Sequence, residues 1–359
     1  MRRLCLLLCL LLLLGGARAE EALSLAELAP MEEFAAEFAE GMDLGGMVQS
    51  ALEGGLDYGA ALDWLKARVA QPLGEVLSTA AGMLAPALLL AMTGSTLKGR
   101  GARLLLRTAL LLGLVRMAEL ALSAAADCLN MAADFSDVVS PAFAALMTAT
   151  GMGGSAAMIS PAAAMAGSLA GDVFLRFGLP LCRAALCAVL AGNLAAGIDL
   201  GGLVKLFRRA VGWGAGLAFT VFTALVALQG NLSASLDGVG LRTAKYAVDS
   251  AAPVIGSGVS DVWEAYVSGV MAAKSAVGVS GVIALLAAGA GPMLRIVGSM
   301  LALQMISVLL DVLGEKHSAR ALEQAGGVCR MALELCTSAL AISMILLGAI
   351  MAAGRLGFI

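Results

Sequence analysis

Residues 76–126 read VLSTAAGMLAPALLLAMTGSTLKGRGARLLLRTALLLGLVRMAELALSAAA. Two apolar runs flank a basic cluster, Lys98, Arg100 and Arg103. Each run reaches the length of about 20 residues that a helix needs to cross a bilayer. The first span is expected near Val76–Leu97 and the second near Leu104–Ala126. Lysine and arginine are retained on the cytoplasmic side of membranes, so the cluster between the runs marks a cytoplasmic turn.

Composition supports the same reading along the whole chain. Of 359 residues, 60% are hydrophobic and 14% are charged, against about 45–50% and about 25% in a soluble domain. One core cannot take in so much apolar surface and still leave a polar exterior, and lipid is the natural solvent for the excess. With 44 glycines, the helices can approach closely through small residues. The fold class expected is all-α: a polytopic transmembrane helical bundle of about seven to nine spans, with a cleavable signal peptide and small helical extracytoplasmic segments.

At the N-terminus, Arg2 and Arg3 precede the run Leu4 to Leu14, followed by Gly15-Gly16-Ala17-Arg18-Ala19. A positive region, an apolar region and an Ala-x-Ala site make a secretory signal, cleaved after Ala19 with Ala17 and Ala19 as the small residues. Residues 1–19 are thus read as the signal peptide and 20–75 as an acidic helical extracytoplasmic region. Eleven acids and no Lys or Arg lie between Glu20 and Leu65, a balance that leaves this segment on the outer side. Met31, Phe34, Phe38 and Met42, then Tyr58, Leu62, Leu65 and Val69, form two helical stripes.

A first transmembrane group is expected over 76–230. Two or three spans fall within 138–198, with breaks near Gly151–Gly154 and near Asp172 to Pro180. Lys205, Arg208 and Arg209 alternate with Leu203, Val204, Leu206 and Phe207, as in a short amphipathic helix at the cytoplasmic headgroups. Another span follows near Trp213–Gln229. Residues 231–275 read as a polar amphipathic extracytoplasmic insertion. The C-terminal transmembrane group, 276–359, holds spans near Val277–Leu294, Ile296–Leu313 and Leu335–Ala353, with Arg295 marking a turn.

Few constellations carry chemistry. The chain has no P-loop motif and so does not hydrolyse ATP through one. A near-neutral charge gives no basis for binding nucleic acid. No cysteine pair has CxxC spacing and His317 is the single histidine, so neither a zinc nor a redox site is expected. The cysteines read as small buried hydrophobes, and no cofactor is expected. Gly278-Val279-Ser280-Gly281 has the GxSG form used by some intramembrane serine proteases. Such a serine needs a base, and the single histidine lies beyond two expected spans. Close packing of small residues accounts for the motif better.

Arg107, Arg116 and Glu119 are possible intramembrane charges. Arg116 and Glu119 are three apart and can pair on one helix face. Charge at membrane depth normally faces protein or water. These residues could line a polar path. The favoured alternative has Arg107 reaching to the surface and the pair locking helices, since one helix cannot define a pore. Asp172 and Arg176, four apart, are read in the same way.

The run Leu241-Arg242-Thr243-Ala244-Lys245, followed by Pro253-Val254-Ile255-Gly256 and by Lys274–Gly278, resembles a segment of the stage III sporulation protein AE family. The resemblance extends over most of residues 75–355, and the order of elements is also similar. It implies a multi-pass protein of the mother-cell membrane, facing the forespore, in the channel or secretion-like assembly that joins the two cells during endospore formation. The implied partners are the other membrane proteins of the same operon, a secretion-type ATPase and a ring-forming protein among the products, together with membrane lipid. Late forespore gene expression depends on that assembly. The resemblance brings no catalytic residues. A stand-alone permease for a small solute is the alternative, and an intramembrane serine protease a more remote one.

Overall fold

The computed structural model describes residues 58–96, 100–149, 153–194, 200–251 and 256–352. The expected signal peptide with Ala17 and Ala19, residues 20–57 of the acidic region, and Pro253 and Val254 lie outside the described residues. Every described element is a helix. In chain order they are α1 (Tyr58–Thr96), α2 (Arg100–Ala149), α3 (Gly153–Ser168), a π-wound segment (Leu169–Gly178), α4 (Leu179–Leu194), α5 (Gly201–Ala251), α6 (Gly256–Val312) and α7 (Lys316–Ala352).

Six helical stretches among the described residues are long and apolar enough to span a membrane: Gln71–Leu90, Leu105–Val138, Ser160–Asn193, Gly201–Gln229, Gly281–Val312 and Lys316–Ala352. Their outward faces carry large apolar side chains, with Val312 79% and Trp213 75% exposed and Leu105, Leu112, Leu217 and Met305 close behind. Water would not tolerate so continuous an apolar exterior, whereas lipid tails solvate it.

Helix α7 is the centre of the bundle. Nineteen of its 37 residues are buried, and half of its apolar window is enclosed, against 22% for α5, which sits at the periphery. Around α7, buried residues of α1 to α6 merge into one apolar core that includes Phe135, Phe174 and Phe222. Glycines let the backbones close in. A Cβ at Gly289 of α6 would lie 3.0 Å from Leu340 of α7, and one at Gly113 of α2 would lie 2.6 Å from Met83 of α1.

The helices differ from the sequence-based spans at four places. Residues 277–312 form one helix where two spans are expected, because Pro292 is carried inside α6. Proline is tolerated in a membrane helix when neighbouring helices support the freed backbone. Arg295 therefore lies within a helix and marks no turn. Within 138–198 a single spanning helix, Ser160–Asn193, replaces two or three. The expected break near Asp172 to Pro180 is continuous helix with wider winding: Leu179 N–H bonds to Phe174 C=O, five residues back. Pro180 follows at once, has no N–H for the Arg176 carbonyl and would crowd it in an α-helix. A π-wound turn relieves that conflict without ending the helix. Lastly, Lys205, Arg208 and Arg209 occupy the first turns of α5, continuous with Trp213–Gln229, and form no separate surface helix. Residues 231–251 and 256–275 likewise extend α5 and α6 as helix.

Candidate functional site

Polar groups gather at one end of the bundle and again towards its far side. At the end, α6 stops on Gly314, the one described residue with a left-handed backbone (φ +90°). Glu315 N–H bonds to Leu310 C=O at 3.0 Å and Gly314 N–H to Asp311 C=O at 3.1 Å. These are the paired bonds of a Schellman cap, which satisfies the last carbonyls of a helix. The Glu315 carbonyl then accepts the Ala319 N–H at 3.0 Å, starting α7. Ser307 Oγ donates to Ala319 C=O at 2.8 Å in the buried seam between the two helices.

That turn gathers other elements. Arg107 Nη2 of α2 donates to Glu315 Oε2 at 3.2 Å, across 208 residues of sequence. Arg107 is thus held by a partner at the end of the bundle. His317 Nε2 lies 3.4 Å from the carbonyl oxygen of Asn193, near the end of α4. The start of α2, the end of α4 and the α6–α7 turn therefore lie at one end. The helix turns nearest that end carry Arg100, Arg103, Lys205, Arg208, Arg209, Lys316 and Arg320.

Three ion pairs lie deeper. Glu75 of α1 meets Arg295 of α6 at 3.2 Å; Asp172 meets Arg176 at 3.2 Å on the π-wound segment; Arg330 meets Glu334 at 3.6 Å on α7. The Arg295 Nε contact with Glu75 is one of charge, since Nε is buried without an aligned hydrogen bond. One turn on, the fully buried Ser299 Oγ also has no hydrogen-bond partner. The Asp172–Arg176 pair faces outward, its side chains 56% and 75% exposed. Arg116 and Glu119 point outward from α2. Among the described residues no ion pair joins them.

The four cysteines Cys128, Cys182, Cys329 and Cys336 are buried where α2, α4 and α7 meet, and Cys187 is exposed. The Cys336 thiol lies beside that of Cys128 and 3.8 Å from Ala125 C=O. Among the described residues no three His, Cys, Asp or Glu side chains are arranged to hold a metal ion. Leu241, Arg242, Thr243, Ala244 and Lys245 lie on α5 and Gly256 opens α6; their side chains are outside the described ones.

The GxSG segment is on α6, with Gly278 packed against Met351. Ser280 is 32 residues before the end of α6 at Val312, whereas His317 stands just past that end. At 1.5 Å per residue the two are about 48 Å apart. A base at that distance cannot take a serine proton, so the protease reading is discarded.

Sequence reasoning missed the Arg107–Glu315 and Glu75–Arg295 partnerships. The only signal available was opposite charge within apolar segments, which does not say which helices meet.

Comparison with known proteins bears on what these helices serve. A family model described as stage III sporulation protein AE matches residues 80–354, the stretch over which the resemblance is expected. The stage III sporulation protein AE of Bacillus subtilis (strain 168) is 23% identical over 196 residues, 55% of this chain and 49% of that protein. The chain thus spans about half the length of the curated relative it matches. No solved structure matches.

Proposed function

We propose that this chain, which belongs to the stage III sporulation protein AE family, is a membrane subunit of the channel or secretion-like apparatus between mother cell and forespore. The observation that carries the reading is the family match over 80–354 coinciding with six membrane-length helices whose outer faces are apolar. Its role is architectural, with no catalytic step assigned to any residue. The partners are the other stage III operon products, including a secretion-type ATPase and a ring-forming membrane protein.

The basic end supports a topology. With Lys98, Arg100, Arg103, Lys205, Arg208, Arg209, Lys316 and Arg320 in the cytoplasm, six crossings put both ends of the helical body outside. The helical extensions of α5 and α6 over 231–275 then project to the outer side. There they face the space between the two membranes and offer partners a surface.

Deletion of the gene in the sporulating host tests the role. Sporulation should stop after engulfment, and the tagged protein should co-purify with the neighbouring operon products. Normal spore yield in the deletion strain would sink the proposal. The Glu75–Arg295 pair between two apolar helices also favours a second reading, a stand-alone permease for a small solute. Solute uptake by liposomes holding the purified chain alone would favour it.

A further inference from the structure

Helix α2 carries an exposed stripe that no other described helix covers. Leu112, Arg116, Glu119, Ser123, Asp127 and Asn130 are all exposed and recur every three or four residues along one face. Past Leu112 this face is polar throughout, although it belongs to a spanning stretch, Leu105–Val138. Depth can be read from Arg107, which its bond to Glu315 places level with the polar α6–α7 turn. From that level Arg116 lies about 14 Å deep, Glu119 about 18 Å, Ser123 about 24 Å and Asp127 about 30 Å, at 1.5 Å per residue. The hydrocarbon core is about 30 Å thick. Arg116 and Glu119 thus stand near its middle, and Asp127 near its outer edge.

A guanidinium and a carboxylate at that depth are not left facing lipid tails; they face protein or water. Among the described residues both side chains are exposed, so whatever covers them comes from outside the described helices. We propose that the α2 stripe is the face on which copies of this chain meet in the membrane, with Arg116 of one copy against Glu119 of the next.

The stripe is self-complementary for that contact. Insertion gives every copy the same topology, so copies are related by an axis along the membrane normal and their α2 helices run parallel. Arg116 and Glu119 differ in depth by about 4.5 Å, less than one helical turn. Two parallel copies therefore bring opposite charges together across the axis. Ser123 and Asn130 fall seven and fourteen residues beyond Arg116. Side chains of this kind bond across packed membrane helices, and each can meet its own counterpart. Asp127 would repel its counterpart, but it sits at the water boundary, where solvent screens the charge.

Photo-crosslinking of the full-length protein in its own membranes tests this. Two differently tagged copies are co-expressed, each with a photoreactive residue at position 123 or 130, or at the control position Leu217 on the exposed face of α5. Adducts carrying both tags are expected from 123 and 130 and not from 217. In chains bearing the probe at 130, Arg116→Glu or Glu119→Arg alone should lower the doubly tagged adduct at least threefold. Arg116→Glu with Glu119→Arg should restore it. The proposal is overturned if positions 123 and 130 yield no doubly tagged adduct, or link only to a different protein. Equal yields from all three positions would also overturn it. The probe at 123 in an otherwise unaltered chain decides the matter even if the charge variants fail to insert.

Discussion

Gly178→Ala should change sign with its neighbour. Gly178 closes the π-wound segment against α7, and a Cβ there would lie 2.9 Å and 3.0 Å from the two terminal methyls of Leu335. Carbon atoms in good contact stand about 3.5–4.0 Å apart. Since both methyls are involved, Leu335 cannot escape by moving one of them, and it is itself 1% exposed. Forcing a methyl into such a site costs about 1–3 kcal/mol. Against this, alanine is favoured over glycine within a helix by about 0.5–1 kcal/mol. The net expectation is a loss of about 1–2 kcal/mol, or a fall in melting temperature of several degrees at about 2–4 °C per kcal/mol.

Leu335→Ala removes both obstructing methyls and leaves a cavity, at about 2–5 kcal/mol. In that background Gly178→Ala no longer meets an obstacle, keeps its helix preference and fills part of the void. It should stabilise by about 1 kcal/mol or less. The buried thiols Cys128, Cys182, Cys329 and Cys336 supply the assay. A thiol-reactive fluorophore reports their exposure as detergent-solubilised protein is heated, with all variants scanned at one rate because such unfolding is often irreversible. Equal shifts for Gly178→Ala in both backgrounds would refute the close approach of the π-wound segment to α7.

Other consequences are as direct. Gly314→Ala should cost about 1–2 kcal/mol, because a Cβ strains a left-handed backbone, and should lower the melting temperature in the same thiol assay. Cysteines placed at Lys98, Lys205 and Lys316 should all be labelled by a membrane-impermeant reagent from the cytoplasmic side only. Labelling of the 316 position from the opposite side would show that α6 is not a single crossing. Glu315→Gln should destabilise the wild-type chain but have much less effect in an Arg107→Gln background, since the two share one ion pair. Ser280→Ala and His317→Ala should each leave spore yield unchanged, because about 48 Å of helix separates the two positions.

Some of this architecture is readable in one dimension. Apolar length fixes where a helix can cross, so the windows at Val76–Leu97 and Leu104–Ala126 overlap the observed spans Gln71–Leu90 and Leu105–Val138. Clustered cations identify an end of the bundle for the same local reason. Reading the chain fails where a local break signal is overruled by a neighbour. Arg295 between two apolar runs suggests a turn, yet Glu75 on α1 lies beside Arg295 and the helix runs on. Pro180 also suggests an end, but wider winding absorbs it. At the site, Arg107, Arg116 and Glu119 can be picked out as charges in an apolar run. Whether each is paired inside the chain or turned outward cannot be read there.

By itself, then, the sequence determined an all-helical membrane body, its basic end and its family resemblance, because hydropathy, charge and short motifs are properties of neighbouring residues. Tertiary structure alone decided that α6 is one helix, that Arg107 closes on Glu315, and that α7 takes the centre. It also decided that Arg116 and Glu119 are left facing outward. Those outcomes depend on which surfaces meet across as many as 208 residues. In lipid, where there is no water to satisfy a stray charge or carbonyl, each such meeting determines whether a polar residue ends a helix, lies within it or seeks a partner beyond the chain.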